Sequence, residues 1–248
     1  MKVKDIFDFL NNLFPVSTAN DYDNPGLLIG NPENKVSKAL IALDCTIETV
    51  EEAEKNNCQL IITHHPVIFS PLKNILAGSI SYELIKRDIA VISMHTNLDV
   101  CENGVNDCLA KTIGLSDITP YLTEKGYLLK CGIISSTNAE SFATSLKKAL
   151  GGCVKYVDGG KKINSVLVCS GSGGDFIEEA INGEFDALVT ADIKHHQFLT
   201  ARDNGVSLFD AGHYNTEDII VEDLKQMLSN QFKEYHFLTY HPETIKFA

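Results

Sequence analysis

Leu60-Ile61-Ile62-Thr63-His64-His65-Pro66 decides how the chain reads: an apolar run with two histidines at its carboxyl end. The run is too short for a helix and does not alternate, so it suits a strand buried on both faces, as in a parallel sheet. Residues 27–29, 39–43 and 89–94 form similar runs, and helical spacings (Ile47, Val50, Ala53; then Ile80, Leu84, Ile85) lie between them. This is the grammar of βαβ units. Upstream, Val3, Ile6, Phe7, Leu10, Leu13 and Phe14 recur at helical spacing until Pro15 ends the pattern.

The second half follows the same logic. Strands are expected at 128–134, 153–157, 166–169, 187–189 and 206–209, with helices at 139–150, 176–181 and 216–229. In each half a strand leads through a Glu-Glu-Ala helix to a second strand followed by a double histidine (His64-His65; His195-His196). Arg-Asp, a further strand and one more histidine come next (Arg87-Asp88 and His95; Arg202-Asp203 and His213). The expectation is an α/β protein of two similar lobes with mostly parallel sheets, residues 1–120 and 121–248, either duplicated or converged on one grammar. The seam is expected within 116–126, where Pro120 and Gly126 fall.

Composition bounds the function. The 248 residues are 44% hydrophobic and 22% charged, ordinary for a globular chain, with a net charge of −12. Such a charge repels phosphate backbones and anionic lipid, which argues against nucleic acid as a partner. No apolar stretch approaches the roughly 20 residues of a membrane helix, and residues 1–5 do not open a secretory signal. The seven scattered cysteines show no CxxC spacing and read as free thiols. A cytoplasmic protein is expected.

Three segments carry metal-binding side chains directly after apolar runs: Thr63-His64-His65-Pro66, His95-Thr96-Asn97-Leu98-Asp99 and His213-Tyr214-Asn215-Thr216-Glu217. Sites in parallel sheets collect beyond the carboxyl ends of strands, so these segments outline a two-metal site. Adjacent residues in extended backbone point opposite ways, which favours one ring of His64 and His65 per ion. Asp99 and Glu217 each stand four residues beyond a histidine, and either carboxylate could bridge ions about 3.5–4 Å apart. Imidazole and carboxylate donors suit Zn, Fe, Mn, Co or Ni without choosing among them. Taken singly, the histidines also read as loop residues and the two acids as helix caps.

Ser170-Gly171-Ser172-Gly173-Gly174 reads either as a tight turn or as a phosphate cradle without a Walker lysine. His195 and His196 read either as substrate-binding groups lining the same cleft or as a solvated helix start.

Along nearly its whole length the chain resembles the Nif-three-like family, whose bacterial members are called GTP cyclohydrolase 1 type 2 homologs. The resemblance rests on Asp23-Asn24-Pro25-Gly26-Leu27-Leu28-Ile29-Gly30, Ala42-Leu43-Asp44-Cys45-Thr46 and Ile61-Ile62-Thr63-His64-His65-Pro66. It continues in His95-Thr96-Asn97-Leu98-Asp99, Thr190-Ala191-Asp192-Ile193-Lys194-His195-His196 and Asp210-Ala211-Gly212-His213-Tyr214-Asn215-Thr216-Glu217. It implies a dinuclear centre of His64, His65, Asp99, His213 and Glu217 in the cleft between two α/β lobes, and a toroidal homohexamer with its sites facing an inner cavity. The family often has tryptophan where this chain has Tyr22 and glycine where it has Ala191, and this chain resembles the short form without an inserted domain.

The expected function is that of a metal-dependent hydrolase holding two divalent transition-metal ions per chain and acting on a small molecule, a nucleotide or cyclic amide. His95 is expected to be catalytic, orienting a group or moving a proton. The alternatives are a metal-trafficking protein and a regulatory ring that binds protein partners without catalysis.

Overall fold

The computed structural model describes residues 1–242, 245 and 246. It divides into two compact units: residues 1–101 joined by the chain's return at Ile220, and residues 102–219. The crossing at Cys101/Glu102 lies upstream of the seam expected at 116–126. Those residues instead begin a strand of the second unit's sheet, at an edge position where the missing N–H of Pro120 is tolerated.

The chain lays down β1 (Gly26–Ile29), β2 (Lys38–Ala42), β3 (Leu60–Thr63) and β4 (Ala90–Ser93) in the first unit. The second unit holds β5 (Ser116–Leu122), β6 (Leu128–Thr137), β7 (Lys155–Val157), β8 (Ile163–Ser172), β9 (Ala187–Ala191) and β10 (Ser207–Asp210). The returning segment adds β11 (His236–Thr239), a strand the sequence reading did not anticipate.

The first sheet has the order β1-β4-β3-β2-β11, parallel from β4 to β11, with β1 antiparallel at the edge. Helix Ile47–Lys55 connects β2 to β3, and helix Ile80–Lys86 precedes β4. Each begins at a hydroxyl cap: the Thr49 N–H donates to Thr46 Oγ1 at 3.2 Å and the Tyr82 N–H to Ser79 Oγ at 3.3 Å. All four residues of β3 are buried, as the double-sided reading requires.

The second sheet has the order β5-β6-β8-β9-β10-β7. Here the expectation of a mostly parallel sheet is corrected: β8-β9-β10 are parallel, but β5/β6, β6/β8 and β10/β7 are antiparallel. A parallel neighbour needs a long crossover, whereas β5 and β6 are joined by a short turn around Gly126 (φ +85°) that permits only a hairpin. Its core is double-sided. Val166 and Val168 pack with Phe142, Leu146 and Phe209 in one cluster, while the intervening Leu167 joins Leu188, Leu208 and Ile177 in another.

Each unit therefore contains the same parallel strand–helix–strand–helix–strand element, β2-β3-β4 or β8-β9-β10, with histidines following its second and third strands. The long final helix expected at 216–229 is instead two helices, His213–Glu217 and Ile220–Gln231. Helix Val105–Thr112 was missed by the sequence reading because nearly all of it is buried, its polar residues Asn106 and Asp107 included, so it shows no polar stripe. Among the described residues no helix is long and apolar enough to cross a membrane.

Asp107 forms a buried ion pair with Lys130 at 2.9 Å and accepts the Asn103 N–H at 2.6 Å. Removing one partner strands the other charge. Lys130→Met should therefore lower the unfolding free energy by about 3–5 kcal/mol in denaturant titration, and the double variant Asp107→Asn/Lys130→Met should lose less than the sum of the single changes.

Candidate metal centre

In the first unit, His64 and His65 follow β3 and His95 follows β4. Parallel register pairs Thr63 with Ser93, so both strands end at the same level and their next residues emerge together. The Thr63 and Ser93 hydroxyls lie 2.8 Å apart beneath them. The result is a trio of imidazoles whose ring nitrogens lie within 4.8 Å of one another. The rings of His64 and His65 are 5.1 Å apart, close enough to serve a common region: alternation ends with β3, and the expected divergence of the two neighbours does not occur.

Each ring is held from behind. His64 Nδ1 lies 2.8 Å from the Met94 carbonyl, which can only accept, so Nδ1 carries the proton and Nε2 presents a lone pair. His65 Nδ1 lies 2.7 Å from Asp44 Oδ1, and His95 Nδ1 lies 2.8 Å from Asp23 Oδ1. Burial pushes the Asp23 carboxyl up, but hydrogen bonds from the His95 ring and the Thr96 hydroxyl and N–H outweigh it and hold the group at about 2. Asp23 is thus an ionised acceptor at neutral pH. Asp99 stands on the short helix Thr96–Val100, its Oδ1 3.6 Å from His64 Nε2.

In the second unit, helix His213–Glu217 begins at His213 itself, which puts His213 and Glu217 on one face. His213 Nε2 lies 2.9 Å from Glu217 Oε2, and Nδ1 lies 2.7 Å from Asp192 Oδ2. The hydrogen bond to Glu217 raises the ring to about 9 against the opposing effect of burial, with Asp192 adding to the rise. A proton thus occupies the His213–Glu217 contact that a cation could fill.

Gly171, near the end of β8, supports this pair. A Cβ on Gly171 would stand 2.0 Å from Glu217 Oε1 and 3.2 Å from His213 Nε2, at a φ of +59° that already favours glycine. The Gly171 N–H donates to Thr216 Oγ1, and its carbonyl accepts from Thr190 Oγ1, each at 3.0 Å. Gly171 thus lies inside β8, at the register shift between Val168 and Ser172, a bulge and not the tight turn expected, and the Glu217 carboxylate can seat against its backbone.

The donor chemistry fits a divalent transition metal: imidazoles held at Nδ1 by an acceptor behind the ring, with the buried Glu217 and half-buried Asp99 carboxylates beside them. His64 and Glu217 are only 1% and 4% exposed. Asp23, Asp44 and Asp192, the acceptors behind three of the histidines, were given no role in the sequence reading. The signal of two was present, since Asp44 and Asp192 each stand just beyond the end of a strand, β2 and β9. His195 and His196 open helix His195–Asp203, are exposed, and belong to no donor group among the described residues. His196 instead lines a surface cavity of about 450 Å³ with Lys125, Asp175 and Glu178.

Comparison with known proteins identifies the family and the fold. The profile of the Duf34/NIF3 (NGG1p interacting factor 3) family matches residues 1–244. A Clostridium acetobutylicum protein named GTP cyclohydrolase 1 type 2 homolog is 32% identical over 88% of this chain and 85% of its own. A Campylobacter jejuni protein of the same name is 32% identical over 93% of each chain. Among solved structures, the Staphylococcus aureus hypothetical protein SA1388 superposes with a TM-score of 0.92 at 31% identity, covering 100% of this chain and 99% of that one. Reduced HcgD from Methanocaldococcus jannaschii superposes at 0.84 and 31% identity, covering 96% and 97%. With a profile match over nearly its whole length, the chain belongs to the Duf34/NIF3 family.

Proposed function

We propose that this chain is a dinuclear metal-binding protein working as a metal-dependent hydrolase. One observation carries the reading: His64, His65 and His213 each have Nδ1 held by a carbonyl or carboxylate oxygen, the arrangement that reserves Nε2 for a cation. His64, His65, Asp99, His213 and Glu217 would hold two divalent ions, with Asp99 or Glu217 shared between them. Their meeting in a cleft between the lobes is part of this proposal. When bound, the ions would supply Lewis acidity that makes a water nucleophilic near neutral pH.

The chain's own groups do the rest. His95, oriented by ionised Asp23, can take or return a proton at Nε2, and Asp23 balances the charge the ring gains. Burial of His64 and Glu217 favours resident ions over ions passed to an acceptor, because exchange needs accessible ligands. The substrate class, a nucleotide or cyclic amide, follows the name of the relatives, which speaks of those proteins. His195 and His196 as substrate contacts, and assembly into a homohexameric ring, belong to the same proposal.

Metal analysis of the purified protein should find two divalent ions per chain. His64→Ala and Glu217→Ala should each lose at least one, together with hydrolysis of GTP or of cyclic amides in a substrate panel. Full metal content in both variants would sink the ligand assignment, and rapid transfer of ions to an acceptor without any turnover would favour trafficking.

The acceptors behind the rings give a second prediction. Asp44→Asn and Asp192→Asn should weaken metal affinity by about 10–100-fold in competition with a chelator, with the direct ligands intact.

Gly171→Ala gives a third. It should lose metal because its Cβ meets the Glu217 carboxylate. Gly126→Ala has a similar φ (+85°) but nothing within 4 Å of the added carbon, so it should keep its metal and cost about 1–2 kcal/mol of stability.

A further inference from the structure

Tyr22, Asp23 and Asn24 each hold a different part of the surroundings of the first unit's imidazoles. Asp23 binds the His95 ring, Asn24 Nδ2 donates to the Ile68 carbonyl at 2.6 Å, and Tyr22 packs on Phe69 with centroids 6.4 Å apart and planes tilted by 50°. Phe69 in turn meets His95 edge-on, at 6.1 Å and 84°. The Tyr22 hydroxyl accepts from Asn20 Nδ2 at 3.0 Å, and the Asn20 N–H donates to Thr96 Oγ1 at 3.0 Å. Both aromatic rings are nonetheless exposed, Tyr22 by 60% and Phe69 by 48%. Two large rings braced in place and left open to solvent run in an unbroken line to the donor cluster.

Aromatic surface held rigid but uncovered is suited to a ligand with a π-face, because little rotamer freedom remains to be lost on binding. Charge narrows the class. Asp21 and Asp23 stand on the turn, Asp44 beyond β2 and Asp99 on the helix Thr96–Val100, and the neighbouring loop 66–79 contributes one basic residue, Lys73. Such a ledge recognises a ring and not a polyphosphate. We infer that Tyr22 and Phe69 form a stacking ledge for a flat heteroaromatic ring of nucleobase size, which lies along the ledge with its polar edge toward His95. The inference deepens the hydrolase reading and rests on it for the reaction that follows binding.

Calorimetry on the metal-loaded protein, with guanosine and with the non-aromatic cyclic amide dihydrouracil, tests the ledge. Guanosine should bind more tightly than dihydrouracil. Tyr22→Leu and Phe69→Leu keep apolar bulk without a π-face and should each weaken guanosine roughly 5- to 150-fold, matching the ~1–3 kcal/mol that stacking on a base is worth. Tyr22→Trp and Phe69→Trp should restore it, and Leu122→Ser, at an exposed apolar residue of β5, should change nothing.

Metal content is measured in every variant and should stay at the wild-type value, since neither ring is a ligand. The titration is repeated on metal-free protein, where the ledge effect should persist; absence of bound metal would then fail the hydrolase reading while leaving the ledge standing. No guanosine binding to the wild type, equal affinity for the two ligands, or leucine variants that bind like wild type would overturn the ledge. A change of oligomeric mass in the leucine variants with guanosine affinity unaltered would overturn it too, in favour of a subunit contact.

Discussion

A hydrogen bond from Nδ1 to an oxygen that can only accept is the constraint on which the candidate centre depends. It settles which ring nitrogen carries the proton, locks the ring plane, and leaves the opposite nitrogen as the donor. For His64 the acceptor is the backbone carbonyl of Met94, one residue beyond the adjacent strand β4, so the sheet register helps set the ring. For His65, His95 and His213 it is a carboxylate, and those carboxylates are placed by the residues just outside strand ends. Fold and chemistry are thereby coupled: a slip of one residue between β3 and β4 would turn Thr63 and Ser93 away from one another and carry the histidines with them.

The second unit reaches a related end by other means. There a single imidazole stands against a buried carboxylate on the same short helix, and the space for that carboxylate exists because position 171 has no side chain. Two acidic neighbours raise the basicity of His213, so a cation must compete with a tightly held proton. A cation bound there would have to displace that proton, as the coupling between ligand deprotonation and binding requires.

Much of this was legible in the chain. The runs ending at Thr63 and near Ser93 are apolar without interruption because both faces are covered, and the histidines after them stand out for that reason. The i, i+4 spacing of His213 and Glu217 could be read as one helical face, given a helix that begins at His213, which it does. What escaped has physical causes. The antiparallel partners of the second sheet follow from a short turn that says hairpin only once 116–122 is recognised as a strand. The buried helix Val105–Thr112 hides its polar residues in an ion pair and a hydrogen bond to the Ser170 N–H, so its pattern lacks a solvent face. The acceptors Asp23, Asp44 and Asp192 were visible as residues, but their pairing with particular rings is tertiary information that no spacing contains.

The place of β11 orders events during synthesis. Residues 102–219 contain every strand of the second sheet, whereas the first unit's sheet lacks one partner of β2 until His236–Thr239 are made. The earliest-made histidines, His64, His65 and His95, thus belong to the sheet whose last strand is the last to be synthesised.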